Sequence, residues 1–118
     1  MTVIRQEDLI ESIADALQFI SYYHPLDFIR AMRGAWEKEE SPSAKAALTQ
    51  VLVNSRMCAI GKRPICQDTG IVNVFISVGM DVSWEADMSL EDMINEGVRR
   101  GYTHPENVLR GSVLEDPD

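Results

Sequence analysis

The sequence predicts an α+β fold with a helical N-terminal half, about four helices in all, and a small sheet. Apolar residues recur at helical spacing through three segments of the first 61 residues and again over residues 89–101. Between residues 71 and 78 the apolar positions alternate, which is typical of a β-strand. Since one strand cannot form a sheet, we expect residues 1–118 to be a fragment of a larger domain, completed by the remainder of the same chain or by a second subunit.

Apolar stripes predict the first two helices. The first covers residues 6–20, and the second starts at Pro25, because proline suits a first helical turn. The stripe of the first helix consists of Leu9, Ile10, Ile13, Leu17 and Ile20, and that of the second consists of Phe28, Ile29, Met32 and Trp36.

End signals predict the third and fourth helices. Ser41 and Pro42 suit the cap and first turn of the third helix, and Gly61 suits its end. The fourth helix is predicted to start at Ser89 and to stop near Gly101, with acids in its first turn. The strand between them has Val72, Val74, Ile76 and Val78 on one face and Asn73, Phe75 and Ser77 on the other.

Composition excludes several classes of protein. Nineteen acidic residues against eleven basic ones give a net charge of -8, which opposes binding to nucleic acid or to an anionic membrane. The longest apolar stretch is too short to span a bilayer, and the N-terminus has the layout of neither a secretory signal nor a transit peptide. Two cysteines do not suggest a disulfide scaffold, so we expect a cytoplasmic protein.

The stretch RPICQDTG at residues 63–70 is the candidate site. Pro64 and Gly70 are suited to a shaped loop that holds Cys66 in place. From the residues alone, Cys66 could be a small buried hydrophobe, a nucleophile or one ligand of a metal centre. Cys58 and Cys66 are spaced too widely for a zinc knuckle, but an iron-sulfur cluster can take its thiolates from distant parts of a chain.

RPICQDTG followed by IVNVFISVG, together with the later NVLRGSVLEDP, resembles the N-terminal region of the class I, iron-sulfur fumarate hydratases and the related L-tartrate dehydratase alpha subunits. The resemblance runs over nearly all 118 residues. It implies that the chain is the N-terminal part of a longer hydro-lyase catalytic domain and that the enzyme is a homodimer. It also implies a [4Fe-4S] cluster that is held by three cysteines and acts as a Lewis acid on a C4 dicarboxylate.

The resemblance also implies roles for four residues. Cys66 resembles the first cluster ligand, the other two being expected outside this chain, whereas Cys58 matches no ligand and is expected in the core. Gln67 is expected to donate a hydrogen bond to a substrate carboxylate, and Asp68 to act in proton transfer or to support the ligand. Arg110 resembles the arginine that binds a substrate carboxylate.

Fumarate hydration to L-malate is the reaction that the resemblance favours, and conversion of L-tartrate to oxaloacetate is the alternative. The fragment alone is expected to be inactive, because cluster ligands and the catalytic base lie outside it. A different class of function also stays open. The stripe Phe28, Ile29, Met32 and Trp36 could belong to a non-catalytic helical dimerisation module.

Overall fold

A computed structural model describes residues 1–66, 71–107 and 109. In these residues it has four α-helices and two β-strands, which confirms the α+β class. The strands are β1 (Thr2–Arg5) and β2 (Val82–Glu85), and the helices are α1 (Gln6–Tyr22), α2 (Leu26–Lys38), α3 (Pro42–Gly61) and α4 (Leu90–Thr103). None of these helices is long and apolar enough to cross a membrane.

The chain divides into two compact units. Unit 1 consists of Met1–Phe19 and Gln67–Asp118, and unit 2 is the continuous stretch Ile20–Cys66. Helix α1 crosses the division near its C-terminal end.

Unit 1 contains a two-stranded parallel sheet. Thr2 of β1 pairs with Val82 of β2, and the register continues to Arg5 opposite Glu85. Helix α4 begins as the sequence predicts, since the Ser89 hydroxyl accepts a hydrogen bond of 3.1 Å from the Asp92 N–H.

The core of unit 1 lies between α1 and α4. Ile10 and Leu17 of α1 are buried, as is Met93 of α4. Gly97 and Gly101 of α4 are buried as well, and a Cβ added to Gly97 would lie 2.9 Å from the Ile10 carbonyl oxygen. The two helices therefore approach each other closely because glycine offers no side chain at the contact.

Unit 2 is built on α2 and α3, which pack against each other. The Trp36 indole N–H donates a 2.8 Å hydrogen bond to the Thr49 hydroxyl, and Lys45 Nζ lies 4.3 Å from the centroid of the Trp36 ring. Helix α3 has the predicted Ser41 cap, but it includes Gly61, and the left-handed residue that ends it is Lys62, with φ at 48°. The predicted end is therefore off by one residue.

The predicted strand over residues 71–78 is wrong for this chain, because these residues have no regular secondary structure. Alternation indicates only which side chains share a face, whereas a strand also needs a partner for its backbone. Within the described residues, none of the backbone hydrogen bonds involves residues 71–78. The sheet forms instead from β1 and β2, which the sequence analysis did not predict.

Candidate active site

The three residues before Cys66 are held in place by hydrogen bonds within unit 2. The Arg63 N–H donates to the Cys58 carbonyl at 3.1 Å, the Ile65 N–H donates to the Ser21 carbonyl at 2.8 Å, and Pro64 contributes its carbonyl as an acceptor. The turn after α3 therefore has a fixed path up to the residue that precedes Cys66. Cys66 itself is exposed and forms no disulfide.

Asn54 of α3 connects this turn to Cys58. Its side-chain Nδ2 donates a 3.0 Å hydrogen bond to the Ile65 carbonyl, and its Oδ1 lies 3.6 Å from Cys58 Sγ. Cys58 Sγ also lies 3.5 Å from the Pro64 carbonyl oxygen. The side chain of Asn54 thereby holds the peptide immediately before Cys66.

The two cysteines have different environments. Cys58 is 5% exposed and its thiol has two acceptors, which confirms the prediction that it is a core residue. Cys66 presents an exposed thiol at the end of an anchored turn. Of the two cysteines, Cys66 alone is exposed, and thiolate is the usual ligand of iron-sulfur clusters.

Three predicted site residues lie outside the described residues, namely Gln67, Asp68 and Arg110. Their roles stay predictions. Within residues 1–66, 71–107 and 109, no group of three or more His, Cys, Asp and Glu side chains could hold a metal ion. A cluster ligated by Cys66 would need ligands from elsewhere, since the whole chain has two cysteines.

Asn107 fixes the peptide that leads to the motif containing Arg110. Its Oδ1 accepts a hydrogen bond from the Leu109 N–H at 2.9 Å, and its Nδ2 donates to the carbonyls of Tyr102 and Leu109. Gln18 of α1 donates through Nε2 to both Asn107 Oδ1 and the Gly101 carbonyl. Leu109 is therefore connected by side-chain hydrogen bonds to α1 and to the end of α4.

Charged groups on α4 form an ion-pair network with α1. The Glu96 carboxylate binds Arg99 at 2.7 Å and Arg100 at 3.0 Å, and Arg100 also pairs with Glu7. The hydrogen bond from Arg99, followed by that from Arg100, lowers the pKa of Glu96 to about 2. The carboxylate of Glu7 and then that of Glu96 raise the pKa of Arg100. In the described part of unit 1, these two arginines are therefore committed to ion pairs.

The comparison with known families agrees with the two motifs. The family described as fumarate hydratase (Fumerase) matches residues 10–118, which is more than half of the chain and includes both the Cys66 turn and Arg110. The chain belongs to this fumarate hydratase family. The resemblance that the sequence motifs indicated is thus confirmed at the level of the family.

The chain is similar to a protein of the archaeon Methanocaldococcus jannaschii that is named "Putative L(+)-tartrate dehydratase subunit alpha". The two sequences are 28% identical over 88 residues, which cover 75% of this chain and 31% of the relative. The chain therefore spans about a third of the length of the curated relative that it matches.

Sequence reasoning missed the residues that support the two motifs of this family. Asn54 lies inside the predicted third helix, and Gln18 lies inside the predicted first helix but outside its apolar stripe. Asn107 was not singled out. Asn54 bonds a carbonyl 11 positions away and Gln18 bonds a side chain 89 positions away, whereas Asn107 bonds carbonyls 5 and 2 positions away. The one available signal was position, since Asn107 comes immediately before VLRGS.

Proposed function

We propose that this chain forms the N-terminal part of the catalytic domain of an iron-sulfur hydro-lyase and that Cys66 is one of three thiolate ligands of a [4Fe-4S] cluster. The observation that carries the proposal is the exposed Cys66 thiol at the end of a hydrogen-bonded turn, in a chain that matches the fumarate hydratase family over residues 10–118. The other two ligands come from outside these 118 residues.

The described residues fit one ligand position for such a cluster. Cys66 is an exposed residue, whereas Cys58 is buried and its sulfur lies 3.5 Å from the Pro64 carbonyl oxygen. The chemistry that a cluster of this kind supplies, when bound, is that of a Lewis acid toward a substrate hydroxyl and carboxylate. The protein's contribution at Cys66 is to present the sulfur on a backbone that is fixed before substrate arrives.

Three further side chains have proposed roles toward the substrate. Gln67 donates an amide N–H to one carboxylate of the C4 diacid, and Arg110 forms a paired hydrogen bond to a carboxylate. Asp68 holds or transfers a proton near the reacting carbons. The net charge of -8 makes a local cation such as Arg110 necessary for binding a dianion.

The proposed reaction is the reversible hydration of fumarate to L-malate by a cytoplasmic homodimer. The family match supports this choice. A second candidate, dehydration of L-tartrate, is favoured by the printed name of the archaeal relative, which also describes that relative as a subunit. An enzyme of that type would require a second kind of subunit in addition to this chain.

The dimerisation module has less support from the structure. Trp36 donates a hydrogen bond to Thr49 within unit 2, and the Phe28 ring stacks on His24 with centroids 4.4 Å apart. Ile29 and Met32 are half-buried. The stripe is therefore used inside unit 2, where α2 packs on α3.

Anaerobic iron and sulfide content and turnover of the full-length natural protein test the proposal. Cys66→Ser should lose cluster iron and reduce fumarate hydration by at least about a hundredfold, since one ligand is removed. The matched control is Cys58→Ala, which removes the other cysteine and should retain both iron and turnover. A Cys66→Ser protein with a full iron complement and wild-type turnover would contradict the ligand assignment. Cluster loss in Cys66→Ser, in an enzyme that dehydrates tartrate and not malate, would select the second candidate.

A further inference from the structure

The uncharged segment of residues 71–80 exposes apolar side chains along most of its length. Phe75 is 95% exposed, Met80 is fully exposed, and Ile71, Ile76 and Val78 are also exposed. Single exposed apolar residues are ordinary on a protein surface, but a contiguous run indicates a surface that another polypeptide covers.

The backbone of residues 71–78 also has no pairing with the described residues. In the part of the chain that the structure describes, no backbone hydrogen bond involves residues 71–78, although the next residue, Gly79, accepts one from the Val82 N–H. A row of uncommitted N–H and C=O groups can pair with a strand from elsewhere, and alternate side chains then determine which strand fits.

One end of the segment and helix α4 line the same groove. Val72 and Val74 line an open groove whose other apolar residues belong to α4, namely Leu90, Ile94, Val98 and Tyr102. Val72 and Val74 thus border the groove beside the helix, while Phe75 does not line it and is exposed. Apolar side chains that share a groove with a helix, on a backbone that has no partner among the described residues, are what a strand of an α+β layer presents when its neighbouring strands are missing.

The length of the archaeal relative indicates what the missing neighbour is. The match covers 31% of that relative, so more than two thirds of its length has no counterpart in these 118 residues. We propose that residues 71–78 bind, by backbone pairing, an apolar β-strand from the part of the catalytic domain that lies outside this chain. This occupant rests on the proposed function, which makes the chain one part of a larger catalytic domain.

Such pairing has a consequence for the candidate site. The turn before Cys66 is fixed by the hydrogen bonds of Arg63, Pro64 and Ile65, whereas residues 71–78, on the other side of the QDTG motif in sequence, have no equivalent backbone bonds within the described chain. Strand pairing supplies the second anchor. Completion of the domain and assembly of the substrate site are thereby linked through one short segment.

Amide hydrogen exchange measured residue by residue tests the inference. In the monomeric 118-residue chain, the amides of residues 71–78 should exchange at nearly unprotected rates, because they donate no backbone hydrogen bonds to the residues that the structure describes. In the full-length protein, alternate amides of this segment should exchange at least about a hundredfold more slowly. Equal exchange rates in both proteins would overturn the proposal. Protection that appears only at protein concentrations where the full-length protein dimerises, or only after a second kind of subunit is added, would overturn it as well.

A proline substitution provides the matched variant. Ser77→Pro removes one backbone donor from an exposed position, so it should abolish the protection of the segment in the full-length protein and leave the melting of the 118-residue chain unchanged. The control, Ser77→Ala, keeps the donor and should retain the protection. Iron content and turnover of the full-length protein are measured separately. Slow amide exchange at residues 71–78 in a protein without a cluster would overturn the proposed function and leave the strand pairing intact. A cluster and turnover in a protein whose residues 71–78 exchange fast would overturn the strand pairing and leave the proposed function intact.

Discussion

Asn54 is the residue on which the geometry before Cys66 depends most directly. We expect Asn54→Ala to lower the free energy of unfolding by about 1 kcal/mol, because the Ile65 carbonyl and the Cys58 thiol each lose a partner. Thermal or urea unfolding measures the change. Gln50→Ala is the control, since Gln50 is an exposed amide on the same helix. Equal stability of the two variants would show that the Asn54 hydrogen bonds contribute nothing net.

Gly97 is required by the close approach of α4 to α1. A Cβ added there would lie 2.7 Å from Ile13 Cβ, so we expect Gly97→Ala to destabilise unit 1 by about 1–2 kcal/mol despite the better helix propensity of alanine. Gly34 of α2 has open space around it, and Gly34→Ala should stabilise the protein by about 0.5–1 kcal/mol. Urea unfolding of both variants measures the two changes in the free energy of unfolding. Changes of the same sign would contradict the conclusion that the close contact with α1 requires glycine at position 97.

At the scale of single residues, the burial of Cys58 was predicted correctly, whereas the residues alone left three roles open for Cys66. Cys58 lies in a helix and is buried, Cys66 lies two residues after Pro64 and is exposed, and the ligand role of Cys66 stays a prediction. Gln67, Asp68 and Arg110 stay predictions. The supporting amides of Asn54 and Asn107 could not be predicted, because a single side-chain hydrogen bond to a backbone carbonyl leaves no periodic pattern in the sequence.

Among the elements, α4 carries a pH-dependent contribution to stability. The pKa of Glu96 is lowered from 4.5 to about 2 by Arg99 and Arg100, so its ion pairs stabilise the fold fully above about pH 4.5 and less as the pH falls toward 2. We expect Glu96→Gln to be less stable than the wild type at pH 6 and equally stable near pH 2. Thermal melts across this range measure the difference, and Glu11→Gln controls for the loss of one negative charge. A difference that does not shrink on acidification would contradict the assignment.

The helices were predictable because their signals are local. Apolar spacing, the Ser41 and Ser89 caps and Pro42 predict α3 and α4 within one or two residues of their ends. The sheet was not predictable, since β1 and β2 are four residues each and pair across most of the chain. Alternation at residues 71–78 was the stronger strand signal, yet these residues have no pairing within the described chain.

For the molecule as a whole, the apolar segment should limit solubility when the chain is produced alone. Residues 71–80 are uncharged, contain no proline and are mostly exposed, which favours association between copies. We expect Phe75→Lys to abolish most of the increase in light scattering that occurs when the protein concentration is raised. The melting temperature should not change. Ile60→Lys adds the same charge at an exposed site on α3 and should have little effect. Equal suppression by both variants would indicate that net charge, and not the segment, controls association.

The register of the parallel sheet constrains how the protein is made. Thr2 pairs with Val82, so a ribosome must add 80 residues after Thr2 before its partner exists, which takes roughly 4 to 16 s at ordinary rates of synthesis. Unit 2 is a continuous stretch between the two parts of unit 1, so α2 and α3 can pack during that interval. The first strand to leave the ribosome is therefore among the last to be incorporated, and a chaperone that binds nascent chains would meet it unpaired.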